Sequence, residues 1–293
     1  MKKYEVTQPG LNFYILAGQS NMDGEGFIDD LPSHLNKVFD NAWIYNPNRC
    51  EDQQPVDNRG FWEKLRPGHG SGFRTEGSRN YYSERFGPEL SFASKLLVKK
   101  PEQKILIYKY AKGGSSIHPD VTTGWGCWDP NYHHGNGINQ WTHFQYHLHR
   151  ALETAERKFG RTVPAGIAWH QGESDASHTR SIAEGYDENL SKVLNGIRKE
   201  VGYSALPIAV GQISDSMMGR GKRKQTYPFG DIVKSAQRQF VEEDKQTALV
   251  TAPENHGFID AWHYDSQTYI ELGYRFADAL MDLQHTEGQI ARY

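Results

Sequence analysis

The chain has 293 residues and a formal net charge of −3, a length within the roughly 250–300 residues at which a single hydrophobic core stops growing. The near-neutral charge lacks the basic footprint of a nucleic-acid or acidic-lipid partner, and no stretch approaches the ~18–20 consecutive apolar residues of a membrane span. A nucleic acid and a membrane are therefore both excluded as expected partners, and 29 glycines with 12% aromatic residues point to a core wrapped in long, aromatic, irregular loops.

The N-terminal MKKYEVTQPG carries the lysines of a signal peptide without its apolar segment. That fits a cytoplasmic protein, or an extracellular or periplasmic one whose leader has been removed. LNFYILA, residues 11–17, is the first of several short apolar runs rich in branched and aromatic residues. It ends in Gly18 and a polar cluster, Gln19, Ser20 and Asn21, where Ser20 reads either as a helix cap or as a nucleophile. AWIYN (42–46) is the second run, and residues 47–86 after it show almost no apolar periodicity. GPELSFASKLLVKK then sets Leu90, Ala93, Leu96 and Leu97 on one helical face. KILIYKYA (104–111) leads through KGGSSI into a second irregular stretch, 115–139. A helix with Phe144, Leu148, Ala151, Leu152 and Ala155 precedes the run PAGIAWH (164–170), which passes straight into QGESD. A helix with Tyr186, Leu190, Val193, Leu194 and Ile197, the run PIAVGQI (207–213), a helix over 232–243 and the run TALVTA (247–252) follow. Tyr269, Leu272, Phe276, Ala279 and Leu280 mark the last helix.

Near-continuous apolar runs suit strands buried on both faces. Their alternation with helices predicts an α/β fold with a mostly parallel sheet, in which ligands bind beyond the carboxyl ends of the strands. The two irregular stretches exceed the ~12–15 residues of ordinary loops and hold Trp62, Tyr81, Tyr82, Trp125 and Trp128, which is unlike disorder. With no repeat, linker or low-complexity tract, residues 1–293 read as one domain.

The strand ends carry the chemistry. A serine nucleophile needs a base within hydrogen-bond reach, and the base needs a carboxylate to fix its tautomer. In GFIDAWHYDSQ, Asp260 stands three residues before His263 and just ahead of the last helix, so one turn of chain brings carboxylate to imidazole. An oxyanion hole is the third requirement. Gln171 at a strand end, the amide of Gly87 at a helix start, and the rival pair Gly113 and Gly114 are its candidates. The sequence around Ser20 is not G-x-S-x-G, so the α/β-hydrolase nucleophile elbow is absent.

Together AGQSNM after the first strand, GPEL before a helix, GGSSI, WHQGESD and D-x-x-H before the last helix resemble the SGNH hydrolase superfamily. The branch most similar is carbohydrate esterase family 6 with the sialate O-acetylesterases, an acetylxylan esterase-like group, and the resemblance runs from residue 12 to about 280. It implies a flavodoxin-like three-layer α/β/α sandwich with a central, mostly parallel sheet of about five strands. It implies hydrolysis of O-acetyl esters on poly- or oligosaccharides, acetylated xylan or sialic acids among them. By the same resemblance Ser20 is the nucleophile, His263 the base and Asp260 its partner, and the oxyanion is held by the amides of Ser20 and Gly87 and by Gln171. Gln19, Asn21, Gly114, Ser115, Trp125, Trp128, His170 and Glu173 are expected to bind substrate or support the site. No metal and no cofactor is required, and no oligomeric state is implied.

Plainer readings compete at several positions. His143 and His147, four apart, lack the glutamate of H-E-x-x-H and a third ligand, so packed or solvated helix histidines are expected there. Glu173 and Asp175 could be a paired-carboxylate glycosidase site, but acids are favoured at a helix start, and Glu173 is expected to hold loops in place. Trp43 and Trp169 lie in strands and belong to the core, whereas Trp125 and Trp128 sit among glycines and prolines and are candidates for stacking on sugars. Arg49, Arg59, Arg66, Arg74, Arg79 and Arg85 could grip an acidic sugar, although as many acids share their loop and local pairing accounts for them. Cys50 and Cys127 lie in the two long loops, where they form one disulfide or remain free thiols. Two other functions keep the same residues in view: an esterase, lipase or thioesterase acting on non-carbohydrate acyl esters, and a non-catalytic carbohydrate-binding protein.

Overall fold

A computed structural model describes residues 10–121, 125–219 and 224–290 of the chain. The apolar runs form the strands β1 (Leu11–Gly18), β2 (Ala42–Tyr45), β4 (Ile105–Ala111), β5 (Thr162–His170), β6 (Ile208–Gly211) and β7 (Thr247–Val250), and a short strand β3 (Trp62–Lys64) joins them. The helices are α1 (Ser20–Asp23), α2 (Glu89–Lys99), α3 (Gln140–Phe159), α4 (Glu173–Ser177), α5 (Arg180–Glu184), α6 (Tyr186–Glu200), α7 (Gly230–Glu243) and α8 (Ser266–Ile290).

The strands make one sheet in the order β7-β6-β5-β1-β4-β2-β3. All pairs are parallel except β2 with β3, which is antiparallel. The five strands β4-β1-β5-β6-β7 have the flavodoxin-like order 2-1-3-4-5. The expected sheet of about five strands is therefore present, but β2 and β3 extend it to seven beyond β4. The short β3 escapes the sequence because it lies within an unpatterned stretch. It is fixed in the fold by Trp62, which is buried and whose indole N–H donates to the Ala151 carbonyl at 3.0 Å.

Side-chain alternation along β1 splits the core into two layers. Phe13, Ile15 and Ala17 face a cluster that includes Phe144 and Leu148 of α3, Leu190 and Ile197 of α6, and Val233 and Phe240 of α7. Tyr14 and Leu16 face the other cluster, with Phe92 and Leu96 of α2 and Leu272, Phe276 and Leu280 of α8. A strand buried on both faces has its carboxyl end as the free position for chemistry, and Ser20 stands two residues past the end of β1.

Candidate active site

Gly18 turns the chain off β1. Its φ of +142° falls in a region that disfavours side chains, and a Cβ there would lie 2.0 Å from the His170 carbonyl oxygen. Gln19 precedes α1 without a side-chain cap, and Ser20 is the first residue of that one-turn helix. The cap reading of Ser20 therefore does not hold. The amides of Ser20 and Gly113 donate to no group of the protein among the described residues. Gly113 lies next to the serine: a Cβ built on it would sit 3.6 Å from the Ser20 Cβ.

Two lobes of a cleft meet at Ser20. One, of about 570 Å³, is lined by His263, Trp262, Tyr227, Ser174 and His178 among others, and the second, of about 560 Å³, by Arg49, Arg59, Arg74, Lys112 and several carboxylates. Ser20, Glu25, Ser71, Gly113 and Trp125 belong to both.

His263 is held by its own loop. Its Nδ1 lies 2.8 Å from Asp260 Oδ2, and Asp260 Oδ1 accepts the amides of Trp262 and His263 at 2.7 and 2.8 Å. Burial pushes the Asp260 carboxyl up, but these hydrogen bonds outweigh it and leave the group below its ordinary range.

Asn21 ties this loop to the serine turn. Its amide donates to Glu173 Oε1 at 2.7 Å and to the Trp262 carbonyl at 3.1 Å, and its oxygen accepts the Tyr269 hydroxyl at 2.8 Å. Glu173 is buried, which pushes its carboxyl up; the His170 ring, at 3.5 Å, and Asn21 more than compensate and lower it. Gln19 holds the other side, its Oε1 accepting the amides of Gly172 and Ser174 at 3.2 and 3.3 Å.

Several expected site residues have other tasks. Gln171 is fully buried, and its two amide hydrogens go to the Ser115 carbonyl (3.1 Å) and Asp175 Oδ2 (2.6 Å). It offers no donor to the cleft, so its expected oxyanion role is corrected to support of the loop after β4. Gly87 is likewise corrected. Its amide donates to Glu89 Oε1 at 3.2 Å, and it lies against Gly24, where a Cβ would stand 2.1 Å from the Gly87 Cα. Glycine is there for the close approach of two backbones.

For Trp128 it is the sugar-stacking reading that is corrected. The residue is fully buried, donates to Ser115 Oγ at 2.8 Å and meets Trp169 edge-on at 5.2 Å. Ser115 and His170 are buried with it and reach no cleft surface. Trp125 does face the cleft, 56% exposed, with its indole packed on Gly114. Arg49 pairs with Asp23, Arg59 with Asp57 and Arg85 with Glu25, so local pairing accounts for these three. Cys50 and Cys127 are free thiols. Among the described residues no group of His, Cys, Asp and Glu is arranged to hold a metal, and His143 and His147 are packed helix residues.

Four residues at or behind the site went unread in the sequence. Trp262 occupies an unspecified position of D-x-x-H. Lys109 interrupts the apolar run ILIYKYA of β4. Tyr227 and His178 had no pattern to mark them.

The family model described as carbohydrate esterase, sialic acid-specific acetylesterase, matches residues 10–282. Among solved structures, a protein from Arabidopsis thaliana is 19% identical with a TM-score of 0.65, the match covering 94% of this chain and 99% of that one. A carbohydrate acetylesterase from Xanthomonas citri is 16% identical with a TM-score of 0.63, over 94% of this chain and 57% of that one. NanS is 15% identical with a TM-score of 0.60, over 96% of this chain and all, 100%, of its own. At such identities these structures share the fold. Curated proteins give no significant sequence match.

Proposed function

The chain belongs to the carbohydrate esterase family of sialic acid-specific acetylesterases, and we propose that it removes O-acetyl groups from carbohydrates through Ser20, His263 and Asp260. One observation carries the reading: His263, bonded through Nδ1 to Asp260 at 2.8 Å, lines the same cleft as Ser20. With Nδ1 engaged, Nε2 is the nitrogen left to take the serine proton, and Asp260 stabilises the imidazolium that results. Ser20 Oγ attacks the acetyl carbonyl. The developing oxyanion is met by the unpartnered amides of Ser20 and Gly113, such donors being worth about 10²–10³ in kcat each. His263 then gives its proton to the departing sugar oxygen, and the acetyl-enzyme is hydrolysed by water with His263 as base again.

An acetyl group fills a small part of either lobe, so the remainder receives sugar. Trp125 and Trp262 offer ring faces in one lobe, and the paired charges of the other offer donors and acceptors to hydroxyls. Within that second lobe Arg74 stacks on Tyr81 at 4.9 Å without a carboxylate partner among the described residues. This favours a carboxylated sugar over a neutral one.

The test joins the two parts. Ser20→Ala should lower kcat on p-nitrophenyl acetate by about 10⁴-fold or more; near-wild-type activity would sink the nucleophile. Wild-type kcat/KM should be higher on O-acetylated sialic acid than on acetylated xylan, and the opposite order would remove the acidic substrate while leaving the serine mechanism intact. Failure on every acetylated sugar, with hydrolysis of acyl lipids or thioesters, would favour the non-carbohydrate esterase.

A further inference from the structure

Lys109 is the one charged residue of β4 and is fully buried. It shares the strand face of Ile105 and Ile107, which α2 and α8 cover. Its ammonium donates to Glu89 Oε2 at 2.7 Å, to the Asp23 carbonyl at 2.7 Å and to the His69 carbonyl at 3.0 Å. The three acceptors come from three separate segments: the first turn of α2, the end of the serine turn, and the irregular stretch 47–86. Burial drives the Lys109 ammonium below its ordinary range, and the Glu89 carboxylate draws it part of the way back.

Stability does not explain such a pair, because replacing a buried ion pair by apolar side chains is commonly neutral or favourable. The contacts supply another reason. Asp23 closes the helical turn that Ser20 opens, and the Ser20 carbonyl is itself bonded to the Gly24 amide at 2.7 Å. The front of the turn is fixed by the Gln19 amide on the His170 carbonyl at 3.0 Å, and its flank by Asn21. The Asp23 carbonyl at the rear rests on Lys109. The Asp23 side chain leads on to Arg49, which lines the cleft.

The geometry points to Lys109, set by Glu89, as a positioning residue that anchors the Asp23 carbonyl and so fixes the turn from which Ser20 presents its hydroxyl and amide to the cleft. This rests on the reading of Ser20 as nucleophile. A turn free to drift by about 1 Å loses on the order of 10²-fold in rate, while the cleft walls that bind substrate stay in place.

The deciding variant is Lys109→Met with Glu89→Leu, which removes both charges and orphans neither. Its melting temperature should fall, because the Asp23 and His69 carbonyls and the Gly87 amide lose their partners, with the variant still folded at the assay temperature. Its kcat on p-nitrophenyl acetate should fall by about tenfold or more with KM within about twofold, the pattern of a lost transition-state geometry. A smaller loss of kcat in the folded double variant overturns the proposal. If that variant does not fold, the neutral polar pair Lys109→Gln with Glu89→Gln takes its place, since the shorter amide cannot hold both carbonyls; kcat should again fall by about tenfold or more with KM within about twofold, and a smaller loss overturns the proposal. Ser20→Ala is assayed alongside. Activity surviving in Ser20→Ala removes the nucleophile reading itself, whereas a dead Ser20→Ala beside a fully active double variant removes only the role of Lys109.

Discussion

Trp262 divides its work between backbone and side chain. Its amide donates to Asp260, and its carbonyl accepts Asn21 and the Tyr227 hydroxyl at 3.1 and 3.4 Å. Its indole, 46% exposed, lines the cleft beside His263. Trp262→Ala keeps the backbone bonds and removes the ring. On an acetylated glycan KM should rise by about tenfold, near 1.4 kcal/mol, while kcat on p-nitrophenyl acetate stays within about twofold. Equal losses on both substrates would make the ring part of the catalytic scaffold instead of a sugar-binding wall. The residue was invisible to pattern reading because D-x-x-H leaves its position blank. Trp128 misled for a different reason. Glycine and proline neighbours mark a surface loop, yet an indole that finds a partner for its N–H buries readily, and Ser115 Oγ is that partner.

At the scale of elements, the serine turn and the entry to α2 are pressed together through two glycines. Gly24 has a φ of +100°, and a Cβ on it would overlap the Gly87 backbone. Gly24→Ala should therefore cost about 2 kcal/mol or more, read as a lower melting temperature; an unchanged melt would mean that the two segments separate freely. The glycine of GPEL was legible as a special position, but its purpose was not. A glycine before a helix reads equally as an amide donor and as a contact point, and only strand order decides. Because β4 lies beside β1, the loop after β4 brings Gly113 to the serine, and the entry to α2 is left behind it. Gln171 was misjudged on the same grounds: its place at a strand end was visible, but Asp175 and Ser115 as competing acceptors were not.

For the molecule as a whole, buried acids link the site to the pH dependence of folding. The Glu173 carboxyl is lowered from 4.5 in the folded protein. Its contribution is thus fully present above that value and is lost as pH falls through the lower, folded one. Asp175, raised by burial, acts in the opposite sense in wild type and variant alike and cancels in a comparison. Below about pH 4.5 the wild-type melting temperature should fall more steeply than that of Glu173→Gln; parallel curves would remove Glu173 as the source. The global architecture was the most legible layer, because six two-sided apolar runs and five helical faces leave few alternatives to a parallel α/β sheet. The short β3 and the packing of 47–86 were not, since they are held by scattered contacts such as Trp62 on Ala151 and not by periodicity. Asn21 gives the architecture a temporal side. Its bonds to the Trp262 carbonyl and the Tyr264 amide span 241 and 243 positions, so a ribosome makes the serine turn early and the base loop long afterwards. On the proposed mechanism, a nascent or clipped chain that lacks the later segment carries a nucleophile with no base, and esterase chemistry begins only once these distant stretches have met.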